Sequence, residues 1–331
     1  MSKAKTSSLI KLIIGAAVLV FLPLAIPNSY IMQLVLNILI YVILAMGLNL
    51  LTGFTGILSL GHAAFFGVGA YVSGILNTRL GWPFWATLIV SVVVTALISL
   101  FLAFPALRVK GTYLVLMTIG FGEVIRLLLV NWISLTNGPN GIVGISYPDF
   151  GFFKLTNMTQ CYYLAVIFVV LLMIYLKVLM KSRVGRCLLA IRDDDRAAEL
   201  VGIDVSQYKL KAFMISAAYC AIAGTLYAHV IRYISPDSFR ADESQLILCC
   251  VIIGGIGTFK GPVIGAVLLT IIPELFRSLQ DFRMVLYGVI LMIVIIFFPG
   301  GVAKYWDLLA ARVKNMVTGS KSKAGAADAK K

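Results

Sequence analysis

Apolar runs of transmembrane length follow one another from residue 9 to residue 298, and no other feature constrains the fold of this chain as strongly. Within hydrocarbon, a stretch of about 20 residues satisfies its backbone N–H and C=O groups only as a helix. With 60% of the 331 residues hydrophobic, a soluble enzyme with a water-facing surface is excluded. The runs at 9–26, 31–51, 56–76, 84–107, 112–133, 162–180, 212–231, 246–257, 263–276 and 284–298 read as ten spans. The expected fold is therefore an all-α polytopic membrane protein, a single transmembrane domain over 1–317, followed by a disordered basic tail at 318–331.

The formal charge of +14 suggests nucleic acid until its distribution is followed. Lys3, Lys5, Arg108, Lys110, the basic run between Lys177 and Lys211, Lys260 and the residues from Lys304 onward fall on one side of the ten spans. Arg79, Lys154, Arg232, Arg240, Arg277 and Arg283 fall on the other, and Arg126 lies within a span. This is the positive-inside pattern, and it places both termini in the cytoplasm and makes nucleic-acid binding unnecessary. Lys3 and Lys5 before an apolar core resemble a signal peptide, but Pro23 and Pro27 stand where a small-x-small cleavage site belongs, so the first span is expected to be retained.

Two loops are long. The external one, 134–160, carries turn signals at Asn137-Gly138-Pro139-Asn140-Gly141 and is long enough for a short surface helix. The cytoplasmic one, 181–211, is dense in charge. Two glycine-rich segments, 52–62 and 254–262, interrupt the apolar runs in the two halves. The spans beside the second are too short for straight crossing helices. Broken helices point to a transport path, because irregular backbone at depth must line a cavity or be buried in protein. Ser59, Gly61, His62, Gly254 and Gly257 are accordingly candidates for that path, the alternative being tight turns between ordinary helices. Ser59, Ala63 and Gly67, like Gly257, Gly261 and Gly265, also form small-residue faces suited to close helix packing.

Of the 14 acidic residues, only Glu123 and Glu274 fall within the expected spans. Glu123 sits near the centre of its span with Arg126 a turn later on the same face. Such groups face a bundle interior or water and have a partner, so the pair is either a polar element of the path or a self-neutralising structural pair. Cys161, Cys187, Cys220, Cys249 and Cys250 form no CxxC motif, and His62 and His229 are the only histidines, so no metal site is expected. No catalytic constellation is present. Residues 257–261 lack the order of a phosphate loop and the strand before it, so this chain is expected to bind no cofactor and no ATP of its own.

The segment 186–203 is the most specific local feature. Asp193 is suited to cap a short helix, Asp194 and Asp195 complement its dipole, and Gly202 can close it in left-handed geometry. Ala197, Ala198, Leu200 and Val201 form an apolar ridge that no neighbouring sequence covers, with Arg192 and Glu199 at its rim. A helix too short to hold itself together suits docking into a partner's groove.

Residues 53–71, GFTGILSLGHAAFFGVGAY, together with Gly185-Arg186, Ala190-Ile191-Arg192-Asp193, Ala197-Ala198-Glu199 and Gly202-Ile203, resemble the membrane-permease subunit of branched-chain amino acid ABC importers. The similarity runs from about 31 to 298 and is weak in the first span and the tail. It implies a multi-pass protein of a bacterial inner membrane, paired with a second, homologous permease. It further implies two ATPase subunits that hold ATP and Mg, a periplasmic amino-acid-binding protein, and Leu, Ile or Val as cargo. The segment containing Arg192, Asp193, Ala197, Ala198, Glu199 and Gly202 matches the family's ATPase-coupling element. Relatives that carry urea, amides or other small polar solutes leave the cargo less specified than the machine. An ion-coupled secondary transporter would use the broken helices and Glu123 but would leave the coupling segment idle.

Overall fold

A computed structural model describes residues 28–276 apart from 110 and 152, together with 300–305 and single positions elsewhere. The expected first span at 9–26 and tail at 318–331, and all but isolated positions of the last span at 284–298, lie outside the described residues.

Helix α1 (Ser29–Thr55) begins at Asn28, whose side chain accepts a hydrogen bond from the Tyr30 N–H at 2.9 Å, and stops at Gly56, where φ is 77°. Almost every residue from Ile38 to Thr55 is buried, so α1 runs through the middle of the bundle. Beside it lies α9 (Val205–Ile231), also largely buried and capped by Asp204. Between and around them pack α2 (His62–Leu80) and α3 (Phe84–Ala106). The α2–α9 crossing is backbone against backbone: a side chain at Gly224 would meet Phe66 O and Ala70 N, and one at Gly69 would meet the Ala221 backbone. Helix α3 presents Thr87, Ser91, Thr95 and Ser99, all buried, toward α9, and turns Trp85, Ile89, Val93, Leu97 and Phe101 outward. Small residues permit this close approach where no hydrophobic force drives helices together.

Helices α4 (Thr112–Asn131) and α6 (Met158–Lys181) are sparsely buried, as lipid-facing helices are. Between them a short helix α5 (Ile133–Thr136), a two-residue strand β1 (Ile142–Val143) and an Asp149–Lys154 pair organise the long loop 134–160. Strand β1 pairs antiparallel with β2 (Tyr233–Ile234), Ile142 opposite Ile234. At the other end of the bundle lie α7 (Arg183–Asp193) and α8 (Asp195–Leu200), within the stretch 181–211 whose seven basic residues outnumber its five acidic ones; this is termed the basic end.

The last described helices are α10 (Ala241–Gly254) and α11 (Gly261–Leu275), 14 and 15 residues long. At 1.5 Å per residue they reach about 21 and 22 Å, short of the ~30 Å hydrocarbon core. Among the described residues, five helices (α1, α3, α4, α6 and α9) are long and apolar enough to cross a membrane. The fold is that of an all-α, multi-pass membrane protein.

Several helices extend a turn or two beyond the expected spans, the one at Val205–Ile231 most of all, and two shifted starts bear on the site. The third span starts at His62, not at 56: residues 57–61 remain non-helical, pinned by Thr52 Oγ1 to Ile57 O (3.1 Å) and by the Leu60 N–H to Thr118 Oγ1 (2.9 Å). The eighth starts at Ala241, not at 246, because a 3-10 turn at Pro236–Phe239 and extended backbone at Arg240 deliver the chain into the bundle earlier. Glu243 therefore lies within a span, where only Glu123 and Glu274 were expected.

Candidate translocation path and coupling segment

Helices α2 and α10 both begin inside the bundle and run in opposite directions. Tyr41 lies halfway along the 27-residue α1, and its hydroxyl donates to Glu243 Oε2 at 3.0 Å, which places the first turn of α10 near mid-depth. The Ala63 N–H, in the first turn of α2, donates to Ser244 Oγ at 2.9 Å. Two helix N-termini thus meet at mid-depth, the geometry with which broken-helix transporters present positive dipole ends to a substrate. Glu243 borders a cavity of about 160 Å³ lined also by Asn37, Tyr41, Phe66, Tyr227 and Ser238.

Glu123 and Arg126 lie beside this point. Arg126 Nε donates to both carboxylate oxygens of Glu123 at 3.0 Å, and Asp237 stands 4.0 Å from Arg126 Nη1. Glu123, Asp237, Arg240 and Asp242 are all exposed, so the charged pair faces out of this chain and not into its interior. Among the sparsely buried helices, α3 has no charged residue and α6 has them only toward its end, whereas α4 carries a charged pair at its centre. Leu116, Gly120, Glu123 and Leu127 form one exposed stripe, and Gly120 has open space beside it.

The other candidates fill contacts. His62 is wholly buried, with Nε2 2.7 Å from Ser216 Oγ. Because Ser216 donates to Gly47 O at 2.7 Å, its oxygen is left to accept, and His62 donates through Nε2. Ser59 accepts from the Gly61 N–H, and a side chain at Gly61 would come 3.1 Å from Thr118 O. At the basic end the two glycine-rich segments meet each other. Asn49 Oδ1 accepts from the Gly257 N–H and its Nδ2 donates to Thr258 O, both at 2.8 Å, while a Cβ on Gly53 would come 2.8 Å from Gly257 Cα. Gly254 packs on the Gly261 backbone.

Arg192 joins this cluster. Its Nη1 donates to Gly53 O at 3.2 Å, while the side chain stays 40% exposed and pairs with Asp193 at 3.2 Å, so it links the rim of the segment to the bundle. Two details of the coupling segment need correction. The helix cap is Asp194, which accepts from the Arg196 and Ala197 N–H groups at 2.8 and 3.2 Å; Asp193 ends α7. The apolar ridge is split: Ala198 is 3% exposed and faces its own chain, whereas Leu200 and Val201 are 89% and 77% exposed. Ala197 and Glu199 share the exposed side, and Gly202 closes α8 at φ 84°. Asp195 pairs with Lys209 at 2.7 Å and ties α8 to α9. A groove of about 450 Å³ separates this unit from the α3–α4 turn.

Sequence reasoning overlooked Asn49 and Glu243. Asn49 announces itself as an amide in an uninterrupted apolar run, and Glu243 as part of an acidic first turn shortly after a proline.

A multi-pass bundle in which two helices begin at mid-depth has the architecture of a membrane transport permease. The chain belongs to the family described as branched-chain amino acid transport system, permease component, whose model matches residues 30–298. Over 286 residues it is 35% identical to the high-affinity branched-chain amino acid transport system permease protein LivM of Salmonella typhimurium, covering 80% of this chain and 67% of that one. The LivM of Escherichia coli matches at the same identity and coverage. The LivH permease of Escherichia coli is 26% identical over 79% of this chain and 90% of its own. No solved structure matches.

Proposed function

We propose that this chain is the transmembrane permease subunit of an ATP-driven importer that carries leucine, isoleucine or valine across a bacterial inner membrane. The observation that carries the coupling half of this reading is α8: a six-residue helix at the basic end whose Leu200 and Val201 stand in solvent. Six residues do not make a stable helix alone, and two large apolar side chains beside it call for a partner groove. An ATPase subunit that itself holds ATP and Mg supplies that groove. Its motion passes through Arg192 to Gly53 and, across Asn49, to Gly257, so that one segment touches both glycine-rich breaks.

The likeness to LivM at 35% identity and to LivH at 26% supports a pair of homologous permeases and branched-chain cargo. The second permease covers the outward stripe of α4, because an ionised pair at mid-depth is costly against lipid. The path then runs between the two chains, past Glu123, Arg126, Asp237, Arg240 and Glu243, where both signs of charge are available to a zwitterion. Ser59, Gly61, His62, Gly254 and Gly257 shape it from behind, as the packed hinges of the broken helices. A periplasmic binding protein delivers the amino acid at the loop end, and both termini are cytoplasmic by the positive-inside rule.

Reconstitution of the full importer in proteoliposomes tests the reading. Leucine uptake should require enclosed ATP, the ATPase subunits and the binding protein, and should survive collapse of the proton and sodium gradients. Uptake that follows an ion gradient without ATP would overturn it, and uptake of urea or an amide in preference to leucine would overturn the cargo.

A further inference from the structure

The cavity beside Glu243 has a chemistry more particular than that of a general polar path. Three aromatic residues, Tyr41, Phe66 and Tyr227, wall it, and Asn37, Ser238 and Glu243 supply polar atoms. None of the described residues that line it is basic. The Phe66 and Tyr227 rings pack edge to face with centroids 5.2 Å apart, which fixes one aromatic wall. The Glu243 carboxylate accepts from the Tyr41 hydroxyl, and among the described residues no lysine or arginine pairs with it. The N-terminus of α10 offsets part of its charge. A carboxylate near mid-depth nevertheless calls for a positive partner.

We propose that this cavity receives the α-ammonium group of the transported amino acid, between the Glu243 carboxylate and the aromatic walls. The inference rests on the amino-acid cargo proposed above and adds to it the orientation of the molecule. An organic ammonium is attracted by aromatic faces as well as by a carboxylate, whereas a hard metal cation takes oxygen ligands on every side. Three aromatic walls therefore favour the ammonium.

Size sets the orientation. Pockets that enclose a whole small molecule hold about 300–1,000 Å³, so a cavity of about 160 Å³ admits the head group and leaves the rest outside. The turn at Pro236–Phe239 carries Ser238 on the cavity and Asp237 4.0 Å from Arg126, so the cavity adjoins the face that bears Arg126 and Arg240. Those two cations take the carboxylate. The side chain then stays out of the pocket, and one head-group site serves leucine, isoleucine and valine alike.

The test measures ligand binding to the purified complex, without the binding protein, as a ligand-dependent rise in melting temperature. Three probes separate the charges: leucine, leucinol, which keeps the ammonium and lacks the carboxylate, and the α-keto acid of leucine, which keeps the carboxylate and lacks the ammonium. Leucine and leucinol should bind the wild type, and the α-keto acid should not. Glu243→Gln should weaken both amines roughly tenfold to a hundredfold, and Glu243→Asp should restore much of the loss. Tyr227→Leu, which leaves the Tyr41–Glu243 bond in place, should weaken both amines about threefold or more. Binding of the α-keto acid as tight as that of leucine, failure of the wild type to bind leucinol, or undiminished leucine binding in Glu243→Gln would overturn the proposal. So would saturable stabilisation by sodium that neither amine displaces, because the cavity would then hold a metal cation. None of these results touches ATP-driven leucine uptake, which the proteoliposome assay reads separately; preference for urea or an amide in that assay would remove the amino-acid reading itself.

Discussion

Asn49 shows how much a single amide can determine at depth. Its side chain is fully buried and satisfies one donor and one acceptor of a glycine-rich break 208 residues away. Asn49→Leu would leave the Gly257 N–H and the Thr258 C=O without that partner, at about 1–3 kcal/mol for each buried group left unsatisfied. The expected outcome is a lower melting temperature of the purified complex and loss of coupled uptake; equal stability would mean that the amide is dispensable to the hinge. Glu243 makes the complementary case. Glu243→Gln keeps an acceptor for the Tyr41 hydroxyl, so assembly and ATP hydrolysis should persist. Removing its charge from the proposed path should lower uptake by roughly tenfold to a hundredfold, the scale of one hydrogen bond to a charged group. Wild-type uptake in that variant would take Glu243 out of the path.

At the scale of the element, α8 separates two roles that its sequence merges. Ala198 faces α7 and α9, and Ile203 N–H closes the turn onto Ala198 O at 3.1 Å. Ala198→Arg should therefore disturb the fold of the coupling unit itself, lowering expression or thermal stability before any partner is involved. Leu200→Arg touches no buried contact and should leave the permease folded. Its effect should appear as loss of the ATPase subunits on purification, or as ATP hydrolysis without import. If Leu200→Arg retains its ATPases and couples normally, the exposed ridge is not the docking surface. The α2–α9 crossing is a contrasting case: Gly69 and Gly224 hold two backbones in contact, and no rotamer change can make room for a larger side chain at either.

At the scale of the whole molecule, α4 is the helix that does not suit a lone protein in lipid. In the proposed importer its outward Glu123–Arg126 pair and its open Gly120 would meet a second membrane chain, with water or substrate between them. Glu123→Lys would set three cations, with Arg126 and Arg240, on that face and should release the partner permease during purification. Exchanging the two charges, Glu123→Arg with Arg126→Glu, should restore the pair and much of the assembly. Full assembly of the Glu123→Lys variant would place the permease contact on another face.

Much was legible in the residue order because the bilayer imposes simple rules. Apolar run length marked α1, α3, α4, α6 and α9, and the shortness of α10 and α11 was apparent from their glycine flanks. The left-handed closure at Gly202 followed from glycine's lack of a Cβ. What the order of residues left open depended on partners distant in the chain. Whether 57–61 is helical is decided by Thr118, and where α10 starts by the turn at Pro236–Phe239. The inward direction of Ala198, the contact of Arg192 with Gly53 and the outward direction of Glu123 are likewise tertiary facts. A helical period states which residues share a face, but only the packed neighbours decide whether that face meets its own chain, lipid or another protein.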